Sequence, residues 1–151
     1  MSLRDDVECT DGLQGHFREG LKALKRLDRL PLSVEKPVGS VDIDGALSEL
    51  HPSASRWDYL IGQKSSAARI LLHFVEVHSA DGEHNIGEVE RKFAWLAAWI
   101  GGTRLNGYRK KFYWVSSGKC SLTPRYPRVK ALAQRGVNFC GQHLSIGCRD
   151  L

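Results

Sequence analysis

An acid and an imidazole close one of the most apolar runs in the chain: residues 70–78 read ILLHFVEVH, with Glu76 and His78 two positions apart. Side chains alternate along a strand, so Glu76 and His78 share a face with Phe74, while His73, Val75 and Val77 share the other. A strand buried in a mixed sheet is expected to be almost wholly aliphatic, and each ionisable group in it needs a partner or a purpose. A second acid, Asp58, opens the apolar segment WDYLI just upstream. Pairing of the two segments as a hairpin would bring Asp58 and Glu76 close together if they share a face. Two carboxylates so placed, with the Val77 carbonyl as a third oxygen, offer the hard donors that Mg²⁺ or Mn²⁺ takes. A cation held there serves phosphodiester hydrolysis, with His78 standing where a base or charge stabiliser is wanted. Plainer roles stay open. Glu76 and His78 also suit an ion pair at a strand end, and Asp58 suits a turn cap after Ser-Ala-Ser. His73, on the opposite face, is read as a hydrogen-bonded core histidine.

The surrounding pattern supplies elements to position these groups. Leu13, Phe17, Leu21, Leu24, Leu27 and Leu30 recur at three- and four-residue spacing and predict an amphipathic helix over 12–30, ended by Pro31. Residues 41–51 are read as a strand, 57–61 as a short strand, GQKSSA as a turn, and 68–79 as the long buried strand. After the polar ADGEHN loop, Asn85 is a fitting N-cap for a helix of about four turns marked by Ile86, Val89, Phe93, Leu96 and Ile100 and stopped at Gly101-Gly102. Residues 111–116 form an aromatic and β-branched strand, 124–135 a helix opened by proline, and VNFCGQHLSI a last strand broken at Gly141. Trp95 and Trp99, four apart on the second helix, read as core or as a ridge facing a partner.

Charge is distributed unevenly. Between Gly101 and Arg149 there are ten basic residues and no acid, so this third carries about +10; the rest has twelve basic and seventeen acidic residues, about −5, for a formal +5. Such asymmetry points to a polyanionic partner, with Arg109, Lys110, Lys111, Arg125, Arg128 and Lys130 as candidate phosphate contacts. Tyr108, Tyr113, Trp114 and Tyr126 interleave with them, which suits base stacking and packing equally. The 151 residues suffice for one domain, read as spanning 1–151 without repeats or linkers. No apolar run approaches a membrane span, and MSLRDDVECTDG lacks the apolar core of a signal peptide, so a cytoplasmic location is expected. Cys120, Cys140, His143 and Cys148 number enough for a zinc site. They lack a second tight pair beside Cys140-Gly-Gln-His143, and the cysteines are read as reduced thiols.

With an Asp opening one strand of a hairpin, Glu-x-His in the next and a helix following, residues 12–116 resemble the PD-(D/E)xK nuclease superfamily. The resemblance implies an α/β restriction-endonuclease-like αβββαβ core, a central mixed sheet flanked by helices. It implies Asp58 and Glu76 as metal ligands with Val77, a Mg²⁺ or Mn²⁺ cofactor, a DNA (or RNA) substrate, and a homodimer. Two departures stand out: no proline precedes Asp58, and His78 takes the place of the motif lysine. A lysine migrated to the following helix, Lys92, or its neighbour Arg91, would restore the fixed charge that a histidine carries only when protonated. Glu19 or Glu49 would serve as the further acid used by some members. The same fold without the chemistry, an inactive nucleic-acid-binding or assembly module, is the alternative.

Overall fold

The computed structural model of the chain describes residues 2–65 and 67–148. Ser66 of the expected turn and Arg149 of the basic segment lie outside them. In chain order the elements are α1 (Leu3–Glu8), β1 (Arg18–Glu19), α2 (Arg26–Arg29), β2 (Leu32–Val34), β3 (Pro37–Asp42), α3 (Ile43–Ala46), β4 (Tyr59–Lys64), β5 (Ile70–Ala80), α4 (Glu83–Gly101), a 3-10 turn (Arg104–Gly107), β6 (Arg109–Cys120), α5 (Pro127–Gln134), β7 (Val137–Phe139) and β8 (Leu144–Ile146). Six strands make one mixed sheet in the order β1-β3-β4-β5-β6-β7. The first three pairings are antiparallel, and β5–β6 and β6–β7 are parallel. The helix α4 is the crossover between the parallel neighbours β5 and β6, the connection such a pair demands.

Both faces of the central strands are covered, which is why β5 is so apolar. On one face Phe74, Trp114 and Leu72 pack with Ile86, Val89, Phe93 and Leu96 of α4 and Val129 and Leu132 of α5. On the other, Val75, Tyr59, Ile61 and Val115 pack with Leu24 and with Leu32, Leu144 and Ile146 from the parallel β2–β8 pair. The alternation read from the sequence therefore holds: Phe74 and Val75 face different cores.

Several boundaries differ from expectation, each for a local reason. The expected helix over 12–30 is reduced to the single turn of α2 at Arg26–Arg29. Gly12, Gly15 and Gly20 adopt φ of +89°, +79° and +54°, left-handed values that break any helix, and the apolar residues are shared between the two cores. Leu13 and Phe17 are buried in the first and Leu24 in the second, while Leu27 and Leu30 stay exposed. The segment 41–51 divides at Asp42, whose carboxylate accepts from Gly45 N (2.9 Å) and caps α3. Strand β4 runs on to Lys64 through half of the expected turn. Helix α4 starts at Glu83 with Gly82 as N-cap, so Asn85 lies inside the first turn. The last stretch is two strands, separated at Gly141 (φ +68°), and only the first joins the main sheet.

A close approach fixes the N-terminal edge. A Cβ on Gly39 of β3 would stand 2.1 Å from Phe17 Cζ, so the buried ring lies directly on the glycine backbone. Arg4 is stacked over the same ring, 4.7 Å from its centroid. Gly39→Ala is expected to cost about 1–3 kcal/mol through overpacking, read as a lower urea midpoint with an unchanged m-value.

Candidate functional site

The hairpin register brings the two acids together. Tyr59 pairs with Val75, so Asp58, one residue before β4, stands across from Glu76. Asp58 N donates to Glu76 Oε1 (3.0 Å), and Val77 N donates to Asp58 Oδ2 (2.9 Å). The carboxylates thus replace ladder hydrogen bonds that the strand end would otherwise lack. Ile43 N and Asp44 N both donate to the Asp58 carbonyl, at 2.8 and 3.4 Å, which ties the start of α3 to the same point.

Glu76 is fully buried and cannot stand alone. Lys92, three turns into α4, donates to its Oε2 at 2.5 Å. His78 Nδ1 lies 3.4 Å from the same oxygen, an ion-pair distance that is long for a hydrogen bond. Its Nε2 is 3.0 Å from Glu88 Oε1. Asn85 Nδ2 donates to that Glu88 oxygen (2.8 Å), while Asn85 Oδ1 accepts from Asp81 N (3.1 Å). Below the acid pair Trp114, opposite Glu76 in the parallel register, donates its indole N–H to the His78 carbonyl at 3.0 Å.

The electrostatics follow from this crowding. Burial and the neighbouring Glu76 charge push the Asp58 carboxyl up to about 8, against the opposing pull of Lys92. Burial disfavours the Lys92 ammonium, but the Glu76 and Asp58 charges outweigh it and hold the group above the ordinary lysine value. The contact with Glu76 raises the His78 imidazole above its usual range despite burial, and Glu88 adds to the effect. Replacing Glu88 with glutamine is therefore expected to lower the His78 pKa towards 6.5, measured by NMR titration of its ring protons, while Asn85→Ala lowers it less.

Not every residue singled out in the sequence reaches the site. Of the two basic candidates on α4, Lys92 makes the contact and Arg91 is exposed. Glu19 lies exposed on β1, separated from β4 by β3, and Glu49 is exposed in the loop after α3. Val77 contributes its N–H to the Asp58 carboxylate, and its side chain faces the second core. His73 is a core histidine, bonded through Nε2 to Gln63 Oε1 at 2.8 Å.

The basic segment does not make one surface. Arg109, Lys110 and Lys111 pair with Leu71, Leu72 and His73, which places them five, four and three residues of strand from Glu76, or about 17 to 10 Å. Lys110 Nζ is bonded to the Asn106 and Tyr108 carbonyls, both at 2.8 Å. Arg128 is held by Glu90 at 2.6 Å and Glu83 at 3.4 Å, which docks α5 on the first half of α4. Arg125 and Lys130, at the same end of the sheet as the acid pair, are exposed.

The donor set fits a hard divalent cation in kind. It comprises two facing carboxylates and main-chain oxygen, with Asp58 Oδ1 accepting no hydrogen bond from a described residue. The elevated Asp58 pKa comes first from burial and then from the neighbouring Glu76 charge. Among the described residues, no group of three or more His, Cys, Asp or Glu side chains is placed to hold a metal. Cys120, Cys140, His143 and Cys148 accordingly form no zinc cluster, and the three thiols face separate carbonyls of Leu122, Asn138 and Lys64. Among the described residues no helix is long and apolar enough to cross a membrane.

In the sequence Glu88 is unmarked, and Asn85 is marked only as a helix N-cap. Their signal is the helical stripe 85-88-92, which puts both on the Lys92 side of α4. No protein-family model matches the chain, nor does any curated protein or solved structure.

Proposed function

We propose that the chain is a metal-dependent nuclease of the PD-(D/E)xK type, hydrolysing phosphodiester bonds of DNA. One observation carries the reading: Asp58 and Glu76 face each other across the β4–β5 hairpin with the Lys92 ammonium on Glu76. The strand order supports it. An antiparallel β3-β4-β5 meander followed by helix α4 and parallel β6 has the connectivity of an αβββαβ core. Lys92 supplies from the helix the fixed charge that His78 lacks in the motif.

Asp58, Glu76 and the Val77 carbonyl would hold Mg²⁺ or Mn²⁺. A bound ion would polarise the phosphate and lower the pKa of a coordinated water. The residues do the remaining work. Asp58, whose carboxyl is pushed up to about 8 by burial and the Glu76 charge, would release its proton to serve as a ligand. Lys92 offsets the charge that develops on the phosphate oxygens. His78, oriented by Glu88, stands at the rim to exchange protons with water. Arg125 and Lys130, exposed on and just before α5, would take the backbone phosphates, so binding should weaken steeply with salt.

A second reading is a nucleic-acid-binding module without hydrolysis. It is favoured by one detail: Lys92 and His78 both engage Glu76 Oε2, an oxygen a metal would need. Incubation of supercoiled plasmid with the wild type in Mn²⁺, Mg²⁺ or EDTA separates the two. Nicking restricted to the divalent ions is the expected result; salt-sensitive binding with intact plasmid in every buffer would select the module.

A further inference from the structure

Helix α4 carries a second feature on the side that holds the acid site. Residues 88, 92, 95 and 99 follow one another at helical spacing, so the line Glu88, Lys92, Trp95, Trp99 runs from the acid pair towards the helix C-terminus. The two indoles are stacked, with centroids 5.7 Å apart and planes 10° from parallel. The His51 ring meets Trp95 edge-on at 6.2 Å. Neither indole is fully buried, in contrast to Trp57 and Trp114.

Beyond the stack lies a cavity of about 490 Å³, lined by Trp99 and His51 with Leu50, Asp11 and Arg104. Its size falls in the range of small-ligand sites. The far wall is connected to the acid pair by hydrogen bonds. Arg56 Nη1 donates to the His51 carbonyl at 2.6 Å, and its Nε donates to Asp44 Oδ1 at 3.0 Å. Asp44 N in turn donates to the Asp58 carbonyl. From Lys92 to Trp99 is seven residues, or about 10 Å along the helix.

Cations and acids meet at this end. Arg104 lines the cavity with Asp11 and lies 3.7 Å from Asp6 Oδ1, and its 3-10 turn leads into Arg109 and Lys110, two further cations on the side away from Glu76. Cations beside an aromatic stack combine phosphate attraction with base stacking, as single-strand binding requires. Arg104 and Asp11 add a donor and an acceptor for a base edge.

We infer that the Trp99–His51–Arg104 cavity is a stacking subsite for an unpaired nucleobase, on the strand whose backbone passes the Asp58–Glu76 pair. The inference rests on the nuclease reading for the strand's course. The chemistry of the subsite is its own: a planar aromatic ring set against indole, with the sugar-phosphate directed to Arg104, Arg109 and Lys110.

The test is a fluorescence titration with a single-stranded DNA octamer in EDTA, where hydrolysis plays no part. The wild type, Trp99→Ala, Trp99→Phe and Arg104→Ala would each be checked by circular dichroism for folding. Saturation should quench tryptophan emission in the wild type, because Trp95 and Trp99 are the partly exposed indoles. Trp99→Ala should weaken binding roughly 5- to 150-fold, with Trp99→Phe retaining most of it. Arg104→Ala, whose indoles are intact, should weaken binding and steepen its loss with salt less than the wild type. Octamer binding without quenching, or equal affinity in wild type, Trp99→Ala and Arg104→Ala, overturns the subsite. Plasmid nicking is scored separately. Trp99-dependent octamer binding in a protein that never nicks would sink the nuclease reading and leave the subsite standing.

Discussion

Lys92→Met is expected to lower stability at pH 7 by about 3–5 kcal/mol and to abolish hydrolysis. The reason is the environment of Glu76, fully buried with its Oε2 against the ammonium. Without Lys92 the carboxylate keeps one N–H from Asp58 and the longer contact with His78, and it still faces a second acid. A buried charge left so poorly compensated costs far more than the pair was worth. The double variant Lys92→Met/Glu76→Gln should regain most of the loss, since removing both partners leaves no orphaned charge. Urea unfolding of the three proteins checks this. A Lys92→Met cost under about 1 kcal/mol would show that Glu76 is neutralised by other means, and the lysine's place in the site would fall with it.

Asp58→Asn is expected to do the opposite to stability and the same to activity. The folded-state pKa of Asp58, about 8, stands well above that of an unfolded aspartate. Between about pH 4 and pH 8 the folded chain holds a proton that the unfolded chain has released. Stability therefore falls as pH rises through that window, by up to about 1.4 kcal/mol per pH unit. Asparagine can still accept from Val77 N and carries no charge to desolvate. The variant should match the wild type near pH 4 and exceed it by several kcal/mol at pH 8, with thermal or urea unfolding as the readout. Millimolar Mg²⁺ or Mn²⁺ should raise the wild type at pH 8 and leave Asp58→Asn unmoved. Identical pH profiles for the two proteins would mean that Asp58 is charged and solvated in the folded state. An acid retained at such a cost to stability is the pattern expected of a working site.

The legible parts of this chain were those where pattern and turn chemistry agree. The β4–β5 hairpin was readable because period-2 alternation in HFVEVH fixes which residues share a face, and the register then sets Asp58 against Glu76. Lys92 was reachable only as one of two neighbours, Lys92 and Arg91, because helix phase decides which of two adjacent residues points at a sheet. The N-terminal segment misled for the converse reason. Its leucines keep helical spacing, but the backbone turns left-handed at Gly12, Gly15 and Gly20, and spacing alone does not reveal that the leucines serve two cores. The basic segment misled in another way. Composition gave its charge, while the parallel register of β5 and β6 sends Arg109–Lys111 to one end of the sheet and the α5 cations to the other.

The central claim is that Asp58 and Glu76 hold a divalent ion for phosphodiester hydrolysis. Isothermal titration of Mn²⁺ into the wild type and Asp58→Asn, with plasmid nicking followed on the same samples, addresses it most directly. Ion binding and nicking are expected of the wild type, both lost in an Asp58→Asn protein that is folded and more stable at pH 8. Nicking that survives in Asp58→Asn, or a wild type that binds no ion, would contradict it.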